Sequence, residues 1–131
     1  MALRLTLKPG ERAAINGAVI VNGDRRTNLV IENKARVLRE GDVIQPEEAN
    51  TPAKRIYVPI MMMYLDPSTK ADMQPEYERR LLQFTRAVSD MDALGSCAAI
   101  GAHVANEEYY KALSVCRKLI EFEAKLLSHV L

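Results

Sequence analysis

Tryptophan is absent from this 131-residue chain, cysteine and histidine occur twice each, and the formal net charge is only +1. Cys97 and Cys116 form no CxxC pair, and His103 and His129 stand apart from any second ligand-like group. These spacings argue against a disulfide framework and against a zinc site. The most apolar window, IYVPIMMMYL at 56–65, is ten residues long and contains Pro59. A bilayer span needs roughly 20 apolar residues, so no membrane placement is expected. The opening MALRLTLKPG lacks the apolar stretch of about 7 to 15 residues that a secretory signal carries. A reducing, cytoplasmic setting is the expectation. None of GxGxxG, GxxxxGK[ST], HExxH or GxSxG occurs. The acidic pairs Glu47-Glu48 and Glu107-Glu108 are neighbours in sequence and read as solvated charge, the second favoured by a helix start. The chain is therefore not expected to be an enzyme, with no cofactor and no metal.

What is present is enough apolar side chain to fold: 48% of residues are hydrophobic and 27% charged. The near-neutral total conceals a gradient. Residues 1–39 hold eight basic and three acidic side chains, residues 40–69 two basic and five acidic, and residues 70–131 eight basic and nine acidic. A polyanion would meet the amino-terminal third.

Leu3, Leu5 and Leu7 alternate with Arg4, Thr6 and Lys8, the period of a half-buried strand. Pro9-Gly10 ends it, and Asn16-Gly17 and Asn22-Gly23 are turn dipeptides suited to positive φ. Short strands are predicted around 18–21, 29–32 and 36–39, followed by a proline-containing acidic loop at 40–53. The run at 56–65 is apolar on both alternation faces and reads as a strand covered on both sides. Its residues Ile56, Val58, Ile60, Met61, Met62, Met63 and Tyr64 are the predicted core or oligomer interface, with methionine filling gaps. A homo-oligomer, most simply a dimer, follows if one face of this strand meets a partner copy.

After Asp66-Pro67 the period becomes helical. Tyr77, Leu81, Phe84 and Val88 mark one amphipathic helix after Pro75. A small-residue helix is predicted at 91–104, capped by Asp90 or Asp92. A third carries the stripe Tyr109, Leu113, Cys116, Ile120, Ala124 and Leu127. The predicted class is α+β: a β-rich amino-terminal lobe of antiparallel strands at 1–66, then an α-helical lobe of about three helices at 67–131.

The cations give the candidate site. Arg4, Lys8, Arg12, Arg25, Arg26, Arg36, Arg39, Lys54 and Arg55 are the predicted RNA-binding residues, with Arg4, Lys8 and Arg12 projecting to the same side as Arg25-Arg26. A sheet face carrying arginine suits single-stranded RNA. Residues 1–39 contain no aromatic side chain, which disfavours an aromatic stacking platform.

Several segments resemble the FlbT family of flagellar post-transcriptional regulators. They are LKPGE at 7–11, NGAVI at 16–20, NGDRRT at 22–27, VLRE at 37–40, the block QPEEANTPAKRIYVPIMMMYLD at 45–66, YYKAL at 109–113 and CRKLI at 116–120. The resemblance implies a cytoplasmic protein that binds the 5′ untranslated leader of flagellin mRNA and controls its decay or translation. A flagellar assembly factor or an mRNA-decay factor is the implied further partner. LTLKPGER at 5–12 also resembles the opening strand of the carbon storage regulator family, another group of small mRNA-leader binders, although Leu7 stands where that family has an RNA-contacting arginine. The alternative class is a protein-interaction adaptor that couples flagellar assembly to flagellin expression without touching RNA.

Overall fold

The structure is a computed structural model that describes residues 2–130; the side chain of His129, read above as standing apart from any second ligand-like group, lies outside the described set. The chain has the expected α+β order, antiparallel strands first and helices after. It divides into two compact units, Met1–Val43 and Ile44–Leu131. The boundary thus falls well before the residue 66 expected from sequence, and the second unit has four helices rather than about three.

The strand unit contains β1 (Leu3–Leu7), β2 (Arg12–Ile15), β3 (Ala18–Val21), β4 (Thr27–Ile31) and β5 (Val37–Arg39). β1 and β4 form an antiparallel ribbon in the register Leu3 opposite Ile31 to Leu7 opposite Thr27. β2 is the centre of a three-stranded sheet in the order β3-β2-β5. Alternation sends one row of side chains from each sheet into a shared core: Leu5, Leu7, Ala13 and Val37 are buried, with Ile15, Ile20, Leu29 and Ile31 packed against them. Asn16 and Gly17 link β2 to β3 with φ of 53° and 86°. A two-residue hairpin of this hand needs positive φ at both positions, which Asn and Gly tolerate. The second Asn-Gly pair does something else, because neither Asn22 nor Gly23 has a positive φ.

The helical unit is built on α1 (Pro52–Leu65), α2 (Lys70–Ala87), α3 (Met91–Ala105) and α4 (Tyr109–Val130). The segment 56–65, expected as a two-sided strand, is therefore helix. α1 packs against both α2 and α4, so its surroundings demand no polar face. An apolar run without alternation or helical periodicity is the same string for a buried strand and a buried helix. The start signal lay just upstream, in Thr51-Pro52. Thr51 is extended and its hydroxyl oxygen accepts the Lys54 N–H at 3.3 Å, while Pro52 occupies the first helical turn. Ile56, Val58, Ile60, Met61 and Met63 are buried in this unit, and Met62 and Tyr64 are half-buried. The run is thus satisfied inside the helical unit and does not itself call for a second copy.

Pro59 sits inside α1 and cannot donate to the carbonyl of Arg55, four residues back. Arg80 of α2 takes its place: its Nη1 donates to the Arg55 oxygen at 2.8 Å. The N-terminus of α1 also has a long-range cap. Glu123 of α4, 7% exposed, accepts the Ala53 N–H on its Oε2 at 2.9 Å, placing a carboxylate at the positive end of the helix dipole.

α2 starts a turn earlier than Pro75 suggested. Asp66 accepts the Ser68 N–H at 3.0 Å and leads through a single 3-10 turn at Pro67–Thr69. Asp90 caps α3 by accepting the Ala93 N–H at 2.9 Å. On α4 the buried line is Ala112, Leu113, Cys116, Leu119 and Glu123. Ala124 and Leu127, expected on the apolar stripe, are exposed. Burial pushes the thiols of Cys97 and Cys116 above the ordinary cysteine range, and pushes the Tyr77 hydroxyl up to about 12.

Two tests follow from this packing. Arg80→Ala leaves the Arg55 carbonyl without its donor and should cost about 1 kcal/mol in urea unfolding. Pro59→Ala in the same chain supplies a backbone N–H at position 59 and should restore most of it, a non-additivity read from the double-mutant cycle. Ellman's reagent should leave both thiols unmodified in the folded chain and titrate both in denaturant; rapid reaction of either under native conditions would contradict the packing.

Candidate nucleic-acid interface

The topology of the strand unit brings four chain positions to one end. β1 finishes at Leu7, β2 starts at Arg12, β3 finishes at Val21 and β4 starts at Thr27. The two connections, residues 8–11 and 22–26, run side by side there, tied by Gly10 N–H to Gly23 O and Asn22 N–H to Glu11 O, both 2.9 Å.

Asn22 is the hub of this end. Its amide Nδ2 donates to the carbonyls of Leu7 (3.1 Å), Lys8 (2.8 Å) and Arg25 (2.8 Å), and its Oδ1 accepts the Gly23 N–H at 2.9 Å. Two N–H groups thus serve three carbonyls, one of them shared. Thr27 adds a hydroxyl bond to the Arg25 oxygen at 3.0 Å. Gly10, at φ 72°, makes the turn that lets the Glu11 N–H return to Lys8 O at 3.0 Å.

This lattice of backbone bonds displays Lys8, Arg12, Arg25 and Arg26. All four are exposed, and none makes an ion pair or side-chain hydrogen bond among the described residues. Lys8 and Arg26 stand directly across the ribbon, one step beyond the last pair Leu7 and Thr27. The acidic neighbours are Asp24, exposed, and Glu11, whose carboxylate is engaged: Oε1 accepts the Lys8 N–H at 2.8 Å, and Oε2 lies 3.7 Å from Arg39 Nη2.

The other sequence candidates are distributed differently. Arg4 shares the outer face of β1 with Lys8, four residues or about 13 Å along the strand. Arg12 is on the outer face of the other sheet, opposite Val21, so the cations form a basic end rather than one basic face. Arg39 serves structure: its Nη2 donates to the Thr6 carbonyl at 2.6 Å and joins β5 to β1. Arg36 is half-buried; its backbone bonds to Asn16 in both directions, at 2.8 Å each. Lys54 and Arg55 lie on α1 in the helical unit, where Lys54 Nζ bonds Asn50 Oδ1 at 3.4 Å and Arg55 Nε bonds Ala49 O at 3.3 Å. Asn22 went unnoticed as a site residue because Asn-Gly reads as a hairpin turn; its side-chain role depends on three carbonyls that only the fold assembles.

Asn22→Asp would aim a carboxylate at three carbonyl oxygens and remove the donors. We expect a loss on the order of 2–4 kcal/mol in the unfolding of the strand unit, followed by amide exchange of residues 8–31, while the helical unit keeps its protection.

Among the described residues no helix is long and apolar enough to cross a membrane. No solved structure matches the chain. The family model described as "Flagellar protein FlbT" matches residues 3–127. The chain is 53% identical over 130 residues to the "Probable flagellum biosynthesis repressor protein FlbT" of Caulobacter sp. (strain K31), covering 99% of both. It is 52% identical over 130 residues to the "Flagellum biosynthesis repressor protein FlbT" of Caulobacter vibrioides (strain ATCC 19089 / CIP 103742 / CB 15), covering 99% of this chain and 92% of that one. A "Probable flagellum biosynthesis repressor protein FlbT" of Rhodopseudomonas palustris (strain TIE-1) is 40% identical over 132 residues, with 98% and 99% covered. A match running almost end to end, at identities this high, means that the chain belongs to the FlbT family.

Proposed function

We propose that this chain is a regulator of flagellar gene expression that binds the 5′ untranslated leader of flagellin mRNA and controls its decay or translation. The names of its relatives support the regulatory role. The observation that carries RNA contact is the basic end of the strand unit, where Lys8, Arg12, Arg25 and Arg26 stand exposed on backbone held in place by Asn22. With the backbone already held, only the side chains lose ordering entropy when they meet phosphates, and arginine adds a planar donor fork that can also lie on a base. With no aromatic side chain in residues 1–39, guanidinium planes are the stacking surfaces this region has to offer. The turns present backbone and cations to a flexible strand, which suits an unpaired leader better than a duplex groove.

Four phosphate contacts give a log-log salt slope near −3 on single-stranded RNA, so binding should weaken roughly 50-fold between 50 and 200 mM salt. The Arg25→Ala/Arg26→Ala and Lys8→Ala/Arg12→Ala pairs should each flatten that slope by about 1.4, or about 0.7 per lost contact. Both are compared on a flagellin leader and on a shuffled RNA of equal length. Equal loss on both RNAs marks phosphate contacts, and loss confined to the leader marks a base contact. If the parent chain binds leader and shuffled RNA alike at 150 mM salt, and both variants match it, direct leader recognition is wrong.

A further inference from the structure

The helical unit has a groove that its own core does not fill. It runs between the second half of α2 and the last turns of α4, past the N-terminus of α1, with a volume of about 440 Å³. Phe84 and Phe122 form its apolar floor, and Leu126 and Leu127 stand at its edge 52% and 47% exposed. Every residue from 124 to 128 is exposed, so among the described residues nothing in this unit fully covers the apolar side chains Leu126 and Leu127.

The rim is cationic. Arg55 commits only Nε, to Ala49 O, and Arg80 commits Nη1 to Arg55 O and Nε to Glu76. Among the described residues, both Nη groups of Arg55 and the Nη2 of Arg80 remain available beside the groove. The acidic residue in the lining, Glu123, is turned to the Ala53 N–H. Arg79, off the groove, pairs with the same Glu76 at 2.6 Å.

We propose that this groove receives an acidic amphipathic helix of another protein, apolar side chains against Phe84, Phe122 and Leu126, and carboxylates on Arg55 and Arg80. With Leu126 and Leu127 half-exposed along its edge, the groove matches the way a helix lays an i, i+4, i+7 stripe into an apolar channel. Charge and shape separate this occupant from a second copy of the chain. Docking Leu82, flanked by Arg79 and Arg86, against the arginine rim sets like charges together, and Met91, 80% exposed between Asp90 and Asp92, is a single side chain in the first turn of α3 that offers no i, i+4 stripe. The inference does not rest on RNA binding, which uses residues of the other unit.

The test is display selection, on the intact chain, of a library of 16-residue helices with a fixed leucine stripe and randomised polar flanks. Enriched peptides should carry acidic flanks. A fluorescein-labelled enriched peptide should bind Leu126→Lys at least tenfold more weakly than the parent. Arg55→Glu should weaken it at least tenfold and should prefer the same peptide with its acids changed to lysine. Both positions are exposed, so melting temperature should hold, and the leader-RNA affinity of Leu126→Lys should stay within twofold. Enrichment of basic or neutral flanks, no enrichment, or indifference to both variants overturns the proposal. So does a dimer in sedimentation equilibrium that Leu126→Lys dissociates, which would give the groove to a second copy. Loss of RNA affinity in Arg55→Glu would give it to nucleic acid instead.

Discussion

A helix that is apolar around its circumference has to be enclosed, and from residue 56 onward α1 is that helix. Ile56, Tyr57, Val58, Ile60 and Met63 fall at angles that leave no side for water, and leaving them exposed would forfeit about 1.5–3 kcal/mol apiece. α2 and α4 supply the cover, and α3 in turn packs on α4. Enclosure also obliges the neighbours to mend what α1 lacks. Its N-terminal amide at Ala53 takes a carboxylate from Glu123, and the carbonyl orphaned by Pro59 takes a guanidinium N–H from Arg80. Glu123 is buried because it caps, which explains a charged residue on an otherwise apolar line.

The strand unit is organised by a polar group instead. Its strands are three to five residues long, too short for pairing alone to hold connections in place. The Asn22 amide gathers three carbonyls from two connections, and Arg39 ties the edge of one sheet to a carbonyl of the other. Fixing backbone this way frees side chains: Lys8, Arg25 and Arg26 lend their carbonyls to Asn22 or their register to the ribbon, and keep their charges for solvent or a ligand. One arginine is consumed by structure while its neighbours are held ready, a division that a count of positive charges does not reveal.

In the reading advanced here the two units carry separate work, polyanion contact at the basic end of the strands and protein contact in the groove of the helices. The charges at each surface are built differently. At the strand end their acidic neighbours are Asp24 and Glu11, the latter already engaged by the Lys8 N–H and Arg39, which suits a partner with a continuous line of phosphates. At the groove they flank an apolar floor, which suits a partner whose acids sit beside leucines or similar side chains.

The sequence alone determined what depends on neighbours along the chain. Leu3, Leu5 and Leu7 alternate, so β1 was legible. Asn16-Gly17 can hold two positive φ angles, so its hairpin was too, and Asp90 announces α3 by offering a cap three residues before Ala93. The concentration of cations before residue 40 was equally plain. Tertiary structure decided everything that depends on groups far apart. Whether 56–65 is strand or helix turned on what encloses it, because an apolar run has no period to read. Asn22 became a hub only where Leu7, Lys8 and Arg25 converge, and Arg12 left the face of Lys8 because it entered a different sheet. The groove was invisible because Leu126 and Leu127 look like ordinary core residues until α4 is seen to reach beyond the cover of its neighbours.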